Sequence, residues 1–408
     1  MRRVMRRTWP LLVVVGLGAL VVTLCGCPPK EEAPPEAMPP EAEPPLETMA
    51  GEEGAIKIGA IFDLSGKASA LGQPEANTAE MLQEQINAEG GISGRTVEII
   101  IRDTKGLEEE GLKAVKELIE RENVVAIVGP SRSGTTLGII SAVEQAEVPL
   151  ISCAAARAIT DPVKKWVFNT PQSDEDAVHV IYEYLGEQGI TKIATLTASS
   201  GFGEQGLIQL EKKAPDAELD IVTKQQFDDA DTDMTAQLTK IKGTDAEAVV
   251  CWGIGPAPAR IAKNMRQLGM QIPLVMSHGV ANRRFIDDAG EAAEGIVLPC
   301  GKLLVAEQLP EDDPQKQLLL EYAEQYEEEF GKPADTFGGH AWDAVMLVKN
   351  AIEEEGAEPA AIRDGIESTE GFVGIGGVFN FGPDQHYGLS PDAFVMVKIQ
   401  DGDWTLIE

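Results

Sequence analysis

Apolar residues along this chain fall into short continuous runs separated by stretches of helical period, and the two alternate. Ile56–Phe62 (IKIGAIF), Val97–Asp103 (VEIIIRD) and Val124–Val128 read as buried strands, rich in β-branched residues. Between them, the stretch from Gln73 to Gly90 places Ala79, Met81, Leu82 and Ile86 on one helical face, and Gly90-Gly91 closes it. The stretch from Glu108 to Asn123 does the same with Leu112, Val115, Leu118 and Ile119. After a connecting segment, residues 157–170, the series starts afresh. Strands are expected at 192–196, 221–227, 248–252 and 274–276, with helices at 204–214, 232–241 and 256–268 between them. Runs of βα units with continuous apolar strands mean parallel sheets covered on both faces. The expected class is therefore α/β, with two doubly wound parallel sheets. Sheets of this kind bind ligands beyond the carboxyl ends of their strands, so two facing sheets make a cleft.

The stretch from Val124 to Ala156 carries the most chemistry. Its strand turns at Gly129-Pro130 into a small-residue loop, Ser131 to Thr136, which opens a helix carrying Leu137, Ile139, Ile140 and Val143. Unpaired backbone N–H groups beside the positive end of a helix form a seat for carboxylate or phosphate. The plainer reading of the same hydroxyls is a helix cap. The spacing also approaches a P-loop, but the lysine that would reach the phosphates is absent. A second glycine motif, Gly201-Phe202-Gly203-Glu204-Gln205-Gly206, matches GxGxxG after a strand, with Asp220 near the spacing of a ribose acid. It raises a dinucleotide-binding dehydrogenase as a rival reading. The motif lies in the second βα series, the chain carries an export leader, and no catalytic His or Lys follows.

That leader changes the picture of where the chain works. Arg2, Arg3, Arg6 and Arg7 precede an apolar run, Leu11 to Leu24, of signal-peptide length and short for a membrane span. Residues 28–54 are dominated by proline and glutamate and cannot bury enough surface to fold. Such a chain is extended, roughly 3 Å per residue where it is polyproline II, and reads as a tether. The formal charge is −33, and without the leader arginines about −37, a field that repels nucleic acid. Beyond the leader only Cys153, Cys251 and Cys300 remain, scattered in apolar contexts, and four histidines show no metal-ligand spacing. No cofactor and no metal centre are expected.

The ordered set of motifs resembles a known family. IKIGAIFDLSG, INAEGGISGRTVEIIIRD, VVAIVGPSRSGTT, VPLISCAA, GFGEQG, DTDMTAQLTKIK and PLVMSHGVAN with AAEGIVLP are similar to the type I periplasmic binding proteins of the leucine/isoleucine/valine-binding family, receptor subunits of ABC importers. The resemblance spans Ile56 to Glu408. Leu24-Cys25-Gly26-Cys27 likewise resembles a lipobox, which implies cleavage before Cys27 and acylation of that residue, with Cys25 an unusual neighbour. The implied fold is two lobes joined by three crossovers: 55–171 with 300–373, and 172–299 with 374–408, after a signal peptide (1–26) and tether (27–54). The implied function is a non-enzymatic, monomeric, membrane-anchored receptor outside the cytoplasm, closing on an amino acid or hydrophobic carboxylate and delivering it to an ABC permease. A ligand-sensing receptor for a signalling partner is the alternative.

The resemblance also implies site residues. Ser133 matches the carboxylate-binding serine, with Arg132 and Gly134 beside it and Arg132 standing at a position of the family's disulfide. Ala154 offers a carbonyl to an ammonium, while Ala156 stands where a threonine is common. Leu71, Phe202 and Ile254 match cleft-lining positions, and Trp252 reads as packing. His278 stands where amino-acid binders place an acid for the ligand's ammonium; Asp63 or Glu204 is the substitute within reach along the chain.

Overall fold

The computed structural model describes residues 54–407; the leader, Cys27 and the tether up to Glu53 lie outside the described residues. The first lobe is built from β1 (Ile56–Phe62), α1 (Ser69–Ala88), β2 (Val97–Asp103), α2 (Glu108–Glu117), β3 (Ala126–Val128), α3 (Ser133–Ala146), β4 (Leu150–Ser152) and β5 (Val167–Asn169). Its strands form one parallel sheet in the order β2-β1-β3-β4-β5. Alternation along β1 sends Ile58, Ala60 and Phe62 to one face, under Ala79, Leu82 and Ile86 of α1. Ile61 goes to the other, with Val115 of α2 and Ile139 and Val143 of α3. Both faces are covered, which is why these strands read as unbroken apolar runs.

The second lobe contains α4 (Asp174–Glu187), β6 (Lys192–Ala198), α5 (Gly201–Lys213), β7 (Asp220–Phe227), α6 (Thr235–Lys242), β8 (Ala248–Trp252), α7 (Ala257–Gln267), β9 (Leu274–Met276), α8 (Arg283–Ala289) and β10 (Val297–Gly301). The chain then makes α9 (Lys316–Phe330), α10 (Thr336–Glu355), α11 (Pro359–Glu367) and the short hairpin β11 (Phe372–Val373) and β12 (Val378–Phe379), before β13 (Phe394–Gln400) and β14 (Asp403–Leu406). The second sheet runs β14-β13-β10-β9-β8-β6-β7. It is parallel except at one side, where β13 pairs antiparallel with β10 and with β14. No helix among the described residues is long and apolar enough to cross a membrane.

The crossovers differ in place from the bounds expected. β10 completes its pairing to Gly301 before the chain leaves the second sheet. α10 lies on the first lobe, its Val345 and Val348 in the same core as β1. Ile375 touches the second core, but Phe379, Phe381 and Leu389 return to the first, and the chain joins the second sheet only at Phe394 rather than near Gly374. Buried side chains tie the crossovers together. Gln172 Nε2 donates to the Gly376 carbonyl (2.7 Å), Gln315 Nε2 to that of Gly374 (2.8 Å), and Asp343 accepts from the amides of Ile375 and Gly376 (2.6 and 2.7 Å). Such buried polar groups are stable only when paired.

Candidate functional site

Residues just beyond the carboxyl ends of both sheets' strands line one cavity, the place where open sheets of this kind take their ligands. The first lobe contributes Leu71 of α1, Ser131 to Ser133 after β3, Cys153 to Ala155 after β4, and Phe337 and His340 in the opening turns of α10. The second contributes Phe202 at the start of α5, Ile254 after β8, and His278 with Gly279 after β9. Leu71, Ala155, Phe337, Phe202 and Ile254 belong to a single apolar cluster spanning the two lobes.

The polar groups on this lining divide into paired and unpaired. Ser131 Oγ accepts the Asp63 amide (3.1 Å) and donates to Glu75, so its capacity is engaged behind the wall. Burial holds the Glu75 carboxyl well above the usual carboxylate range. Ser133 is different. It is the first residue of α3, buried, and its Oγ has no partner among the described residues. The first bond of that helix is Thr136 N–H to the Arg132 carbonyl (2.9 Å), which leaves the amides before it outside the ladder. Hydroxyl and amides are thus unpaired polar groups at the cavity wall.

Arg132 lines the cavity, but its guanidinium is engaged: Nη1 donates to the Gly106 carbonyl (3.0 Å) and Nη2 to Asp229 across the cleft (3.2 Å), with Asp63 at 4.0 Å. Asp63 is fully buried, bonded to Thr104 Oγ1, and off the lining; Glu204 is exposed to solvent. No carboxylate stands among the cavity's lining residues. Ala154 does line it, and its carbonyl already accepts from Asn169 Nδ2 (3.3 Å). Ala156 and Gly134 are not on the lining. Ala156 is fully buried in the first lobe's core with Val115 and Ile139. Gly134 faces the other lobe, and a Cβ built on Gly201 would come within 2.8 Å of its Cα.

His278 is held by a turn that Ser277 caps, its Oγ accepting from the Gly279 amide (3.3 Å). The imidazole lies edge-on among Phe202, Trp252 and Phe394, with ring centroids 5.4 to 5.7 Å away. Neither ring nitrogen has a partner among the described residues. His340, from the opposite lobe, likewise leaves Nδ1 unpaired. Burial lowers both imidazoles to about 3, the neighbouring His278 adding to the effect at His340, so both are neutral at pH 7. Sequence reasoning missed His340 and Phe337; the signal was Asp335 capping a helix, with Phe337 and His340 three apart on one face. The glycines of the GxGxxG motif serve close packing. A Cβ on Gly203 would strike the Ala198 carbonyl, and one on Gly206 the Trp252 indole, both at about 2 Å.

Comparison with known proteins agrees with this arrangement. A family model described as periplasmic binding protein matches residues 55–403. A leucine-, isoleucine-, valine-, threonine- and alanine-binding protein of Pseudomonas aeruginosa is 25% identical over 77% of this chain and 82% of its own. An extracellular ligand-binding receptor of Rhodopseudomonas palustris HaA2 superposes with a TM-score of 0.82 at 28% identity, over 87% of this chain and 100% of that one. The branched-chain amino acid transporter substrate binding protein of Streptococcus pneumoniae, solved with isoleucine, gives 0.76 at 26% identity, over 86% and 99%.

Proposed function

This chain belongs to the periplasmic binding protein family, a family of solute binders and not of enzymes, and on that premise we propose that it is the lipid-anchored receptor of an ABC importer, closing on a hydrophobic carboxylate. The observation that carries the ligand class is the make-up of the cavity: an unpaired hydroxyl and free helix amides, apolar walls, and no carboxylate on the lining. A buried ammonium costs several kcal/mol unless an opposite charge and hydrogen bonds meet it. Here it would meet the Ala154 carbonyl, already bonded to Asn169. A carboxylate is served by Ser133 and the start of α3, and its apolar tail by Leu71, Phe202 and Ile254. Closure is favoured because only the closed form touches the ligand from both lobes.

The test compares 4-methylpentanoate, or an aromatic acid, with leucine by isothermal titration on refolded, ligand-stripped protein. The acid is expected to bind at least as tightly as the amino acid. Leucine binding roughly a hundredfold tighter, about 2.8 kcal/mol, would restore the amino-acid reading that the relatives' names carry. Ser133→Ala is expected to weaken the acid by about 1.5–3 kcal/mol, the scale of a hydrogen bond to a charged group. The anchor rests on the lipobox and the proline-rich tether. Fatty-acid labelling lost in Cys27→Ala supports it; label lost instead in Cys25→Ala moves the acylation site.

A further inference from the structure

The carboxylate accounts for Ser133 and leaves the two histidines unexplained. His278 is 8% exposed and His340 4%, and both line the cavity. They come from opposite lobes, His278 after β9 and His340 from α10. Three of their ring nitrogens, both of His278 and Nδ1 of His340, lack a partner among the described residues. A buried polar group without a partner is costly, and native structures rarely leave one unless a ligand or water completes it. The surroundings restrict what that completing group is. Phe202, Trp252 and Phe394 ring His278, so a charge there would be desolvated among aromatic edges. A neutral imidazole offers one donor and one acceptor. A hydroxyl both donates and accepts, so it completes either tautomer of both rings while staying neutral among the aromatic edges; a methyl pairs with neither, and a carboxylate or an ammonium would bring a charge there.

We propose that His278 and His340 form a hydroxyl-recognition site, so that the preferred ligand is a hydrophobic carboxylate bearing a second, neutral hydroxyl on its tail. This rests on the carboxylate reading above and adds to it the second polar point that fixes the ligand's length and orientation. A site built to pair a hydroxyl rejects the analogue that lacks it far more strongly than an apolar pocket discriminates by size, because the analogue leaves the site's own polar groups unpaired.

Two matched pairs test it by isothermal titration on the full-length, ligand-stripped protein: hexanoate against 6-hydroxyhexanoate, and cyclohexanecarboxylate against its trans-4-hydroxy derivative. In at least one pair the hydroxylated acid is expected to bind about tenfold tighter or better. His278→Phe and His340→Phe are each expected to bring that ratio to within about twofold, and His278→Gln, which keeps a donor and an acceptor, to retain part of it. Melting temperatures of the variants identify any that fail to fold, for which His278→Gln supplies the readout. Equal affinities within both pairs in the wild type would overturn the proposal. So would parallel losses for both members of a pair in the variants, which would make the histidines holders of the carboxylate. Failure of all four acids to bind, with leucine bound, would instead overturn the carboxylate reading and this proposal with it.

Discussion

Protonating a cavity imidazole would place a charge among Phe202, Trp252 and Phe394 with no acid on the lining to meet it. Burial accordingly lowers His278 and His340 from the usual 6.5 to about 3. Between those values the unfolded chain binds more protons than the folded one, so stability falls as pH falls through the window. Each histidine contributes a loss of about 2 kcal/mol between pH 7 and pH 5. Asp174 and Asp335, raised by burial to about 7, act in the opposite sense: their contribution is full below the usual 3.8 and is lost as pH rises toward 7. His278→Phe removes only one imidazole, so its unfolding free energy should fall less between these pH values than the wild type's, by about 2 kcal/mol. Urea titrations at both pH values check this; an unchanged difference would mean that the imidazole titrates normally. At this scale the sequence was informative where a residue lies beside a readable strand end. Ser133, Leu71, Phe202, Ile254 and His278 all line the cavity. It was silent on pairing: nothing in the letters says that Asp229, on the other lobe, engages Arg132, or that His340 reaches the same space from a helix far along the chain.

Between elements, the starts of α3 and α5 meet across the cleft. A Cβ built on Gly201 would lie 2.8 Å from the Gly134 Cα, a contact with backbone that no rotamer can relieve. Gly201→Ala is therefore expected to obstruct closure without touching either lobe's core. Ligand affinity should drop by about tenfold or more, roughly 1.4 kcal/mol, while the ligand-free melting temperature stays near that of the wild type. Titration and thermal unfolding of the variant separate the two; unchanged affinity would mean that the lobes bind without approaching this closely. Element prediction worked best where a strand is buried on both faces. β1, β2, β8 and β9 span the residues read from their apolar runs. It failed at helix starts. α1 begins at Ser69 rather than Gln73 and takes Pro74 inside, and α5 begins at Gly201 rather than Glu204. β13 went unread although Val397 and Ile399 are buried and Lys398 and Gln400 exposed, because a half-covered strand shows period two and not an unbroken run.

Across the whole molecule the repeated βα series announced two lobes, while the crossovers were displaced because they are set by pairing in space: Phe394 belongs to the second sheet through Gly301. The lobes are joined away from the hinge by Arg132 and Asp229, each side chain under 20% exposed. Asp229→Asn and Arg132→Gln should each weaken ligand binding, and the double variant should lose less than the sum, since the pair exists only when the lobes meet. A double-mutant cycle on Kd measures the coupling; strict additivity would remove the pair from closure. The meeting of α3 and α5 has a further consequence. Both helices present their amino-terminal ends, each carrying about half a positive charge; of the nearby carboxylates, Glu108 and Glu204 are exposed and screened by water, and Asp229 is engaged by Arg132. On the carboxylate reading, shutting an empty cleft presses like partial charges together, and a bound acid would supply the counter-ion that neutralises them. Fit alone would then be insufficient. A methyl ester shaped like the acid should occupy the cleft and leave the protein open in small-angle scattering, whereas the acid compacts it; compaction by both would show that shape, and not charge, shuts the molecule.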